Sequence, residues 1–213
     1  MSNCQPRRLT YVTLIQAVFI SFALVSPFAA RAAIKTRTTE GVQLLVLVIE
    51  NRGTIRVELL PSAAPKTVAH IKGLADKHFY DGILFHRVEQ KSLVQAGDPA
   101  TRKIDGKTIA KISPAEASQL YGLGAGGSGK TVPLEATLPC VRGTLGLARN
   151  MSLNSGDSQF FFNLVDNHKL DNQYCVFGRV VIGLDVMDRI RQGDRIKSMR
   201  IELQQPRSPT RRP

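Results

Sequence analysis

One guanidinium set among apolar residues is the chemical oddity of this chain. Phe85-His86-Arg87-Val88 is followed, after a short polar stretch, by Gln95-Ala96-Gly97-Asp98. A charge in apolar surroundings costs free energy unless it is paired or used. Arginine stays charged and aims several N–H donors in a fixed fork. Two roles fit: a structural ion pair, or donation to a reacting polar group.

Other patterns promise less. Gly124-Ala125-Gly126-Gly127-Ser128-Gly129-Lys130-Thr131 matches the phosphate-loop spacing G-x-x-x-x-G-K-[ST]. That chemistry needs a buried strand before the loop and a helix after it, so that amides and a helix N-terminus face the phosphates. Ala117 to Leu123 is a poor strand, and Thr131-Val132-Pro133-Leu134 is a poor helix start. The segment therefore reads as a flexible Gly/Ser loop. His70 and His78 are eight apart on one expected helix, not the three or four that puts ligands on one face. His86 and His168 read likewise as packing or surface residues. No metal or cofactor is expected. Cys140 and Cys175 show neither a zinc spacing nor a disulfide framework, and Cys175, in Tyr174-Cys175-Val176-Phe177, reads as a buried free thiol. Asp166 and Asp171 read as turn residues.

The elements that must position these residues are mostly strands. Gln43 to Glu50 is a nearly continuous apolar run, the pattern of a strand buried on both faces. After Asn51-Arg52-Gly53, Ile55, Val57 and Leu59 alternate with Arg56 and Glu58, a half-buried strand that completes a hairpin. The period changes over Pro61 to Phe79. Ser62 as cap and Pro65 in the first turn predict a helix, with Val68, Ile71, Leu74 and Ala75 on one face. Strands are expected at 84–88, 93–95, 142–149, 158–164, 176–181 and 196–203, with a short helix over 183–192. Residues 99–131 read as one long polar, glycine-rich loop. Many strands with two helices, in no βαβ rhythm, predict a mainly β fold: a closed or nearly closed antiparallel barrel with helical end-caps.

The N-terminus reads as a targeting segment. Arg7 and Arg8, an apolar run from Leu14 to Val25 and Ala30-Arg31-Ala32 form the n-region, h-region and cleavage site of a secretory signal peptide spanning 1–32. Cleavage removes three arginines and no acid, taking the formal net charge from +12 to +9. An exported protein follows, periplasmic or secreted and without stable membrane insertion once cut; the alternative is an uncleaved anchor, since Leu9 to Phe28 is long enough to span a bilayer although Thr, Tyr, Gln and Ser dilute it. Residues 33–42 form a lead-in and 204–213 a Pro/Arg/Ser tail without core potential. The remaining positive charges are scattered and not interleaved with aromatic residues, so no specific nucleic-acid site is expected. A monomer is expected.

Phe85-His86-Arg87-Val88 with Gln95-x-Gly97-Asp98 resembles the signature of the cyclophilin peptidyl-prolyl isomerases. So do Arg142-Gly143-Thr144-Leu145-Gly146-Leu147-Ala148-Arg149, Ser158-Gln159-Phe160-Phe161-Phe162-Asn163, and Val176-Phe177-Gly178-Arg179-Val180. The resemblance runs over 43–203 in the family's order and is highly specific; Arg149 and Tyr174 resemble the bacterial branch. It implies a closed eight-stranded antiparallel β-barrel capped by two α-helices. It also implies proline-containing polypeptide clients and isomerisation of their X-Pro bonds without a cofactor. Position by position, Arg87 matches the catalytic arginine, and Gln95 the glutamine that helps hold it and the substrate carbonyl. Phe161, Leu93 and Leu170 match the proline pocket, Ala148 and Gln159 the adjoining groove, and Tyr174 a position where many members carry histidine.

The departures lie beside the arginine. Glu89-Gln90-Lys91-Ser92-Leu93 stands where the family runs to Gly-Phe-Met, so Ser92 replaces a pocket-wall aromatic. Ala96 stands at a usual glycine and Lys169 at an aromatic. Losing one large apolar wall is worth about 1–3 kcal/mol, or one to two decades of rate at about 1.4 kcal/mol per decade. Two readings follow: an isomerase of reduced activity, or a non-catalytic module that binds proline peptides.

Overall fold

The computed structural model describes residues 42–204. The expected signal peptide, most of the lead-in and the tail lie outside them. Eight strands form one antiparallel sheet: β1 (Val42–Ile49), β2 (Gly53–Leu59), β3 (Arg87–Glu89), β4 (Leu93–Ala96), β5 (Thr144–Leu147), β6 (Phe160–Asn163), β7 (Cys175–Ile182) and β8 (Ile196–Gln204). Their order across the sheet is β3-β4-β6-β5-β7-β2-β1-β8. β1 buries Leu44 to Leu47 without interruption, and β2 buries only Ile55, Val57 and Leu59, as the two patterns require.

The closed barrel expected from the sequence is not what the strand ladders form. The sheet is an open, curled half-barrel, and β3 and β8 are its edges. Just before each edge strand the chain is irregular. There Gly82 N donates to Ile196 O at 2.8 Å, Ile196 N to Ile83 O at 2.8 Å and Phe85 N to Asp194 O at 2.8 Å. These bonds tie the segment before β3 to the start of β8, and β3 itself is three residues long.

The helices also differ in part. α1 spans Pro65–Ala75 and buries Thr67, Val68, Ile71 and Ala75. Its N-cap is Ala64 and not Ser62; the first-turn amides of Lys66 and Thr67 instead donate to the Glu135 carboxylate, at 3.1 and 2.9 Å. A carboxylate at that end also meets the positive pole of the helix dipole. The 99–131 segment is not one loop. It holds a 3₁₀ turn at Pro99–Lys103, α2 (Gly106–Ile109) and α3 (Pro114–Tyr121). Ile109, Ala117 and Leu123 bury a small cluster with Leu84, which fixes this segment beside the start of β3. The last helix, α4, is shorter than expected, Leu184–Asp188.

The main core packs the strands against α1 and α4, with Tyr80, Phe160, Phe162 and Phe177 fully buried. Cys140 and Cys175 are both free and buried, and burial pushes each thiol up to about 11. They stay protonated at neutral pH. Among the described residues no helix is long and apolar enough to cross a membrane.

Candidate active site

Strand alternation sorts β4 and β6 into two faces. Val94, Ala96, Phe160 and Phe162 join the core, so Leu93, Gln95 and Phe161 face the other way. Register then lines up one row across four strands: Arg87 opposite Gln95, Gln95 opposite Phe161, Phe161 opposite Gly146. The ring of Phe161 lies directly over Gly146; a Cβ there would come within 2.8 Å of ring carbons. Glycine at this position is what lets an aromatic ring form a floor. Tyr174 closes one side, edge-on to Phe161 with ring centroids 5.5 Å apart. The Arg149 guanidinium covers the outer face of Tyr174 at 4.8 Å.

Above this floor is an open cleft of about 590 Å³ lined by Arg87, Leu93, Gln95, Ala148, Phe161, Leu170 and Tyr174. Seven of the nine residues singled out in the sequence therefore meet in one cavity. Gln159 lines a neighbouring cleft of about 540 Å³, which shares Gln95, Ala148 and Arg149 with the first. Ser92 lines neither. It lies in the β3–β4 turn, where its N–H donates to Glu89 O and its carbonyl accepts from Leu164 N and Asn167 Nδ2.

A relay of polar side chains ties the clefts together. Arg87 Nη1 donates to Gln95 Oε1 at 3.3 Å, Gln95 Nε2 to Gln159 Oε1 at 2.8 Å, and Gln159 Nε2 to Gly126 O at 2.8 Å. Arg87 also donates from Nε and Nη2 to Glu89 Oε1, at 2.9 and 2.7 Å. Glu89 was invisible as a partner in the sequence, where Glu89-Gln90-Lys91 reads as a polar turn. Yet residues two apart on a strand share a face. Beneath the arginine, His86 is buried with both ring nitrogens unpartnered, and its pKa falls to about 4, chiefly through burial. At neutral pH it is an uncharged wall of the cleft.

The glycine-rich segment supplies the opposite rim: Gly124 and Ala125 line the first cleft, and Gly124 to Gly127 with Gly129 the second. Its amides face carboxylates of this same chain. The buried Asp98 accepts from Gly124 N at 2.7 Å, Gly126 N at 3.2 Å and Ala100 N at 2.9 Å, while Asp157 accepts from Gly129 N at 2.9 Å and from the Ser128 hydroxyl. Thr131 does not open a helix: the next residue, Val132, forms an isolated bridge with Gly156. The phosphate-loop match is thus a rim tied down by two aspartates. Asp98→Ala leaves three N–H groups without their acceptor; unfolding in urea is expected to show a loss of about 3 kcal/mol.

The remaining wall comes from Pro114, Ala115 and Ser118 of α3 with Leu123. Its signal was present in the sequence. Ser113 and Glu116 form a capping box around Pro114, and Gly122 ends the helix in the left-handed conformation. Among the described residues, no group of three or more His, Cys, Asp or Glu side chains could hold a metal ion.

A family model described as cyclophilin type peptidyl-prolyl cis-trans isomerase/CLD matches residues 44–207. The chain belongs to this family. Among cyclophilin relatives, a probable peptidyl-prolyl cis-trans isomerase of Brucella suis is 34% identical over 183 residues, covering 84% of each chain. A putative thylakoid lumen peptidyl-prolyl cis-trans isomerase of Synechocystis is 28% identical and covers 91% of this chain and 55% of that protein. A cyclophilin-type isomerase of Cryptosporidium parvum, crystallised in the presence of the dipeptide Ala-Pro, shares the fold with a TM-score of 0.60 at 22% identity, over 75% of this chain and 98% of that one. The row from Arg87 to Gly146 crosses β3, β4, β6 and β5, the end of the sheet that carries the short edge strand β3.

Proposed function

We propose that this cyclophilin turns X-Pro bonds in the first cleft, with Arg87, Gln95 and Phe161 as the working residues. The supporting observation is the single row in which sheet register sets these three side chains side by side. Rotation about a peptide bond has a barrier of about 18–20 kcal/mol, set by amide resonance. No bond is made or broken, so no nucleophile is required. The proline ring lies on Phe161 between Leu93 and Leu170, and water is excluded from the amide on that side. As resonance is lost, the prolyl nitrogen becomes a better acceptor, and a guanidinium N–H of Arg87 stabilises the twisted state. Gln95 Nε2 is bonded to Gln159, so its carbonyl end faces Arg87 and fixes the fork. A preorganised donor of this kind is typically worth about two to three decades of rate.

The chain's own residues complete the cleft, which supports a monomer acting on proline-containing polypeptides. The activity is reduced. With Ser92 in the turn and Lys169 before Leu170, the two aromatic walls of the family pattern are missing. Export is supported by the signal-like pattern of residues 1–32 and by the lumenal name of the Synechocystis relative. Intact mass of the protein from an exporting host tests it: a chain starting after Ala32 is expected, and a full-length chain in the soluble fraction contradicts it. For the reaction, the test is a protein whose refolding is limited by proline isomerisation. Catalytic amounts of this chain are expected to shorten the slow phase; an unchanged slow phase overturns the proposal.

A further inference from the structure

Glu89 has no counterpart in the residues assigned so far, and it contacts the group on which the proposed reaction depends. A guanidinium carries five N–H donors. Three are used: Nε and one on Nη2 by Glu89 Oε1, and one on Nη1 by Gln95 Oε1. Two donors, one on each terminal nitrogen, have no protein acceptor among the described residues. Glu89 and Gln95 thus grip the guanidinium without saturating it, and Arg87 lines the cleft with donors to spare.

The grip comes from both directions of the sheet. Gln95 reaches Arg87 across the ladder, and Glu89 reaches it along β3, two residues on. Glu89 is itself set opposite Leu93, the residue that walls the cleft. β3 is a three-residue edge strand, so Arg87 has a neighbouring strand on one side only to hold it. An arginine side chain has several rotatable bonds and loses substantial freedom when fixed. A carboxylate taking Nε and Nη2 together fixes the plane of the fork as well as its place.

We infer that Glu89 is a positioning residue of the isomerase site, which holds the Arg87 fork from the edge so that its two unused N–H donors meet the prolyl amide. This rests on the reading of Arg87 as the catalytic donor. The alternative for the same contact is masking, in which the carboxylate competes with the client for the guanidinium. The two make opposite predictions.

The pair is about 43% exposed on each side, so its strength is modest and salt-sensitive. Positioning predicts that Glu89→Ala lowers kcat/KM about three- to fivefold, mostly in kcat, in an NMR line-exchange assay on a short X-Pro peptide. Glu89→Gln keeps an acceptor oxygen in place and is expected to recover at least half of the loss. Wild-type activity is expected to fall as salt rises from low to molar concentration, and Glu89→Ala activity to stay flat. The Arg87 Nε–H resonance is expected to exchange with water faster in Glu89→Ala than in wild type. An equal or higher kcat/KM in Glu89→Ala overturns the proposal. So does a loss in Glu89→Ala that Glu89→Gln fails to recover and salt fails to mimic, since that pattern is local unfolding of β3. Arg87→Ala tells the two roles apart: if it is as fast as wild type the catalytic role of Arg87 falls, and if it is slow while Glu89→Ala is unaffected only the positioning role of Glu89 does.

Discussion

Phe160→Ala is expected to cost about 3–5 kcal/mol of stability with little loss of activity per folded molecule, while Phe161→Ala, one residue on and also buried, is expected to lose activity as well as stability. Phe160 is fully buried, with Tyr80 and Phe162 edge-on at ring-centroid distances of 5.6 and 5.9 Å. Truncating it loses apolar burial and opens a cavity that its close-packed neighbours cannot fill. Against a total of about 5–15 kcal/mol for a domain, that is enough to leave a large unfolded fraction on warming. Phe161 points to the other face, resting on Gly146 and Tyr174. Its loss removes the floor on which a proline ring would lie. Burying one such side chain is worth about 1.5–3 kcal/mol, so kcat/KM is expected to fall about tenfold to a hundredfold. Urea unfolding and peptide isomerisation, measured on both variants, check the pair. Equal stability losses with equal activity losses would contradict the two-faced reading of β6.

Arg87→Ala is expected to lower kcat/KM about a hundredfold or more while the unfolding midpoint barely moves. The guanidinium is half-exposed, and its ion pair with Glu89 lies at the surface, where such pairs contribute about 0–1 kcal/mol. Its stability role is therefore small. Its role in the twisted state is large, because a charged donor fixed at the cleft stabilises a nitrogen lone pair that the planar amide lacks. Arg87→Lys is expected to recover little. An ammonium on a flexible stem cannot be gripped by Glu89 and Gln95 at once and still face the cleft. Steady-state isomerisation with thermal melts of the three proteins checks this, and a large loss of stability in Arg87→Ala would return the arginine to a structural role.

Much of this site could be read from the chain because it rests on period-two patterning. Arg87, Gln95 and Phe161 belong to short strands whose register is set by a buried opposite face, so motif and geometry agree. What the sequence hid has three physical causes. Glu89 acts through side-chain geometry on an edge strand, and a polar residue beside a turn carries no mark of that. Ser92 stands at the family's wall position, but its place in the β3–β4 turn, with its backbone bonded to Glu89, Leu164 and the Asn167 side chain, leaves it lining neither cleft. The 99–131 segment has too little apolar residue per turn to show helical periodicity, although its Ser113–Glu116 capping box marked where α3 begins. Barrel closure was beyond reach for another reason. Sequence pattern predicts strands, but whether the two edge strands meet depends on a few irregular residues before each of them.

The glycine-rich segment shows how a motif fails when its context is absent. Backbone amides in tight glycine turns attract anions, and here the anions are Asp98 and Asp157 of the chain itself. They hold the cleft rim, and through Gly126 O they set one end of the relay that leads to Arg87.

The most direct test is two-dimensional NMR exchange on an X-Pro peptide with this protein at a small fraction of the peptide concentration. Wild type is expected to give cis–trans exchange cross-peaks on a timescale at which the free peptide shows none. Line shifts that report binding, without exchange peaks at any protein concentration, would contradict this expectation and make the chain a proline-peptide binder built on an isomerase fold.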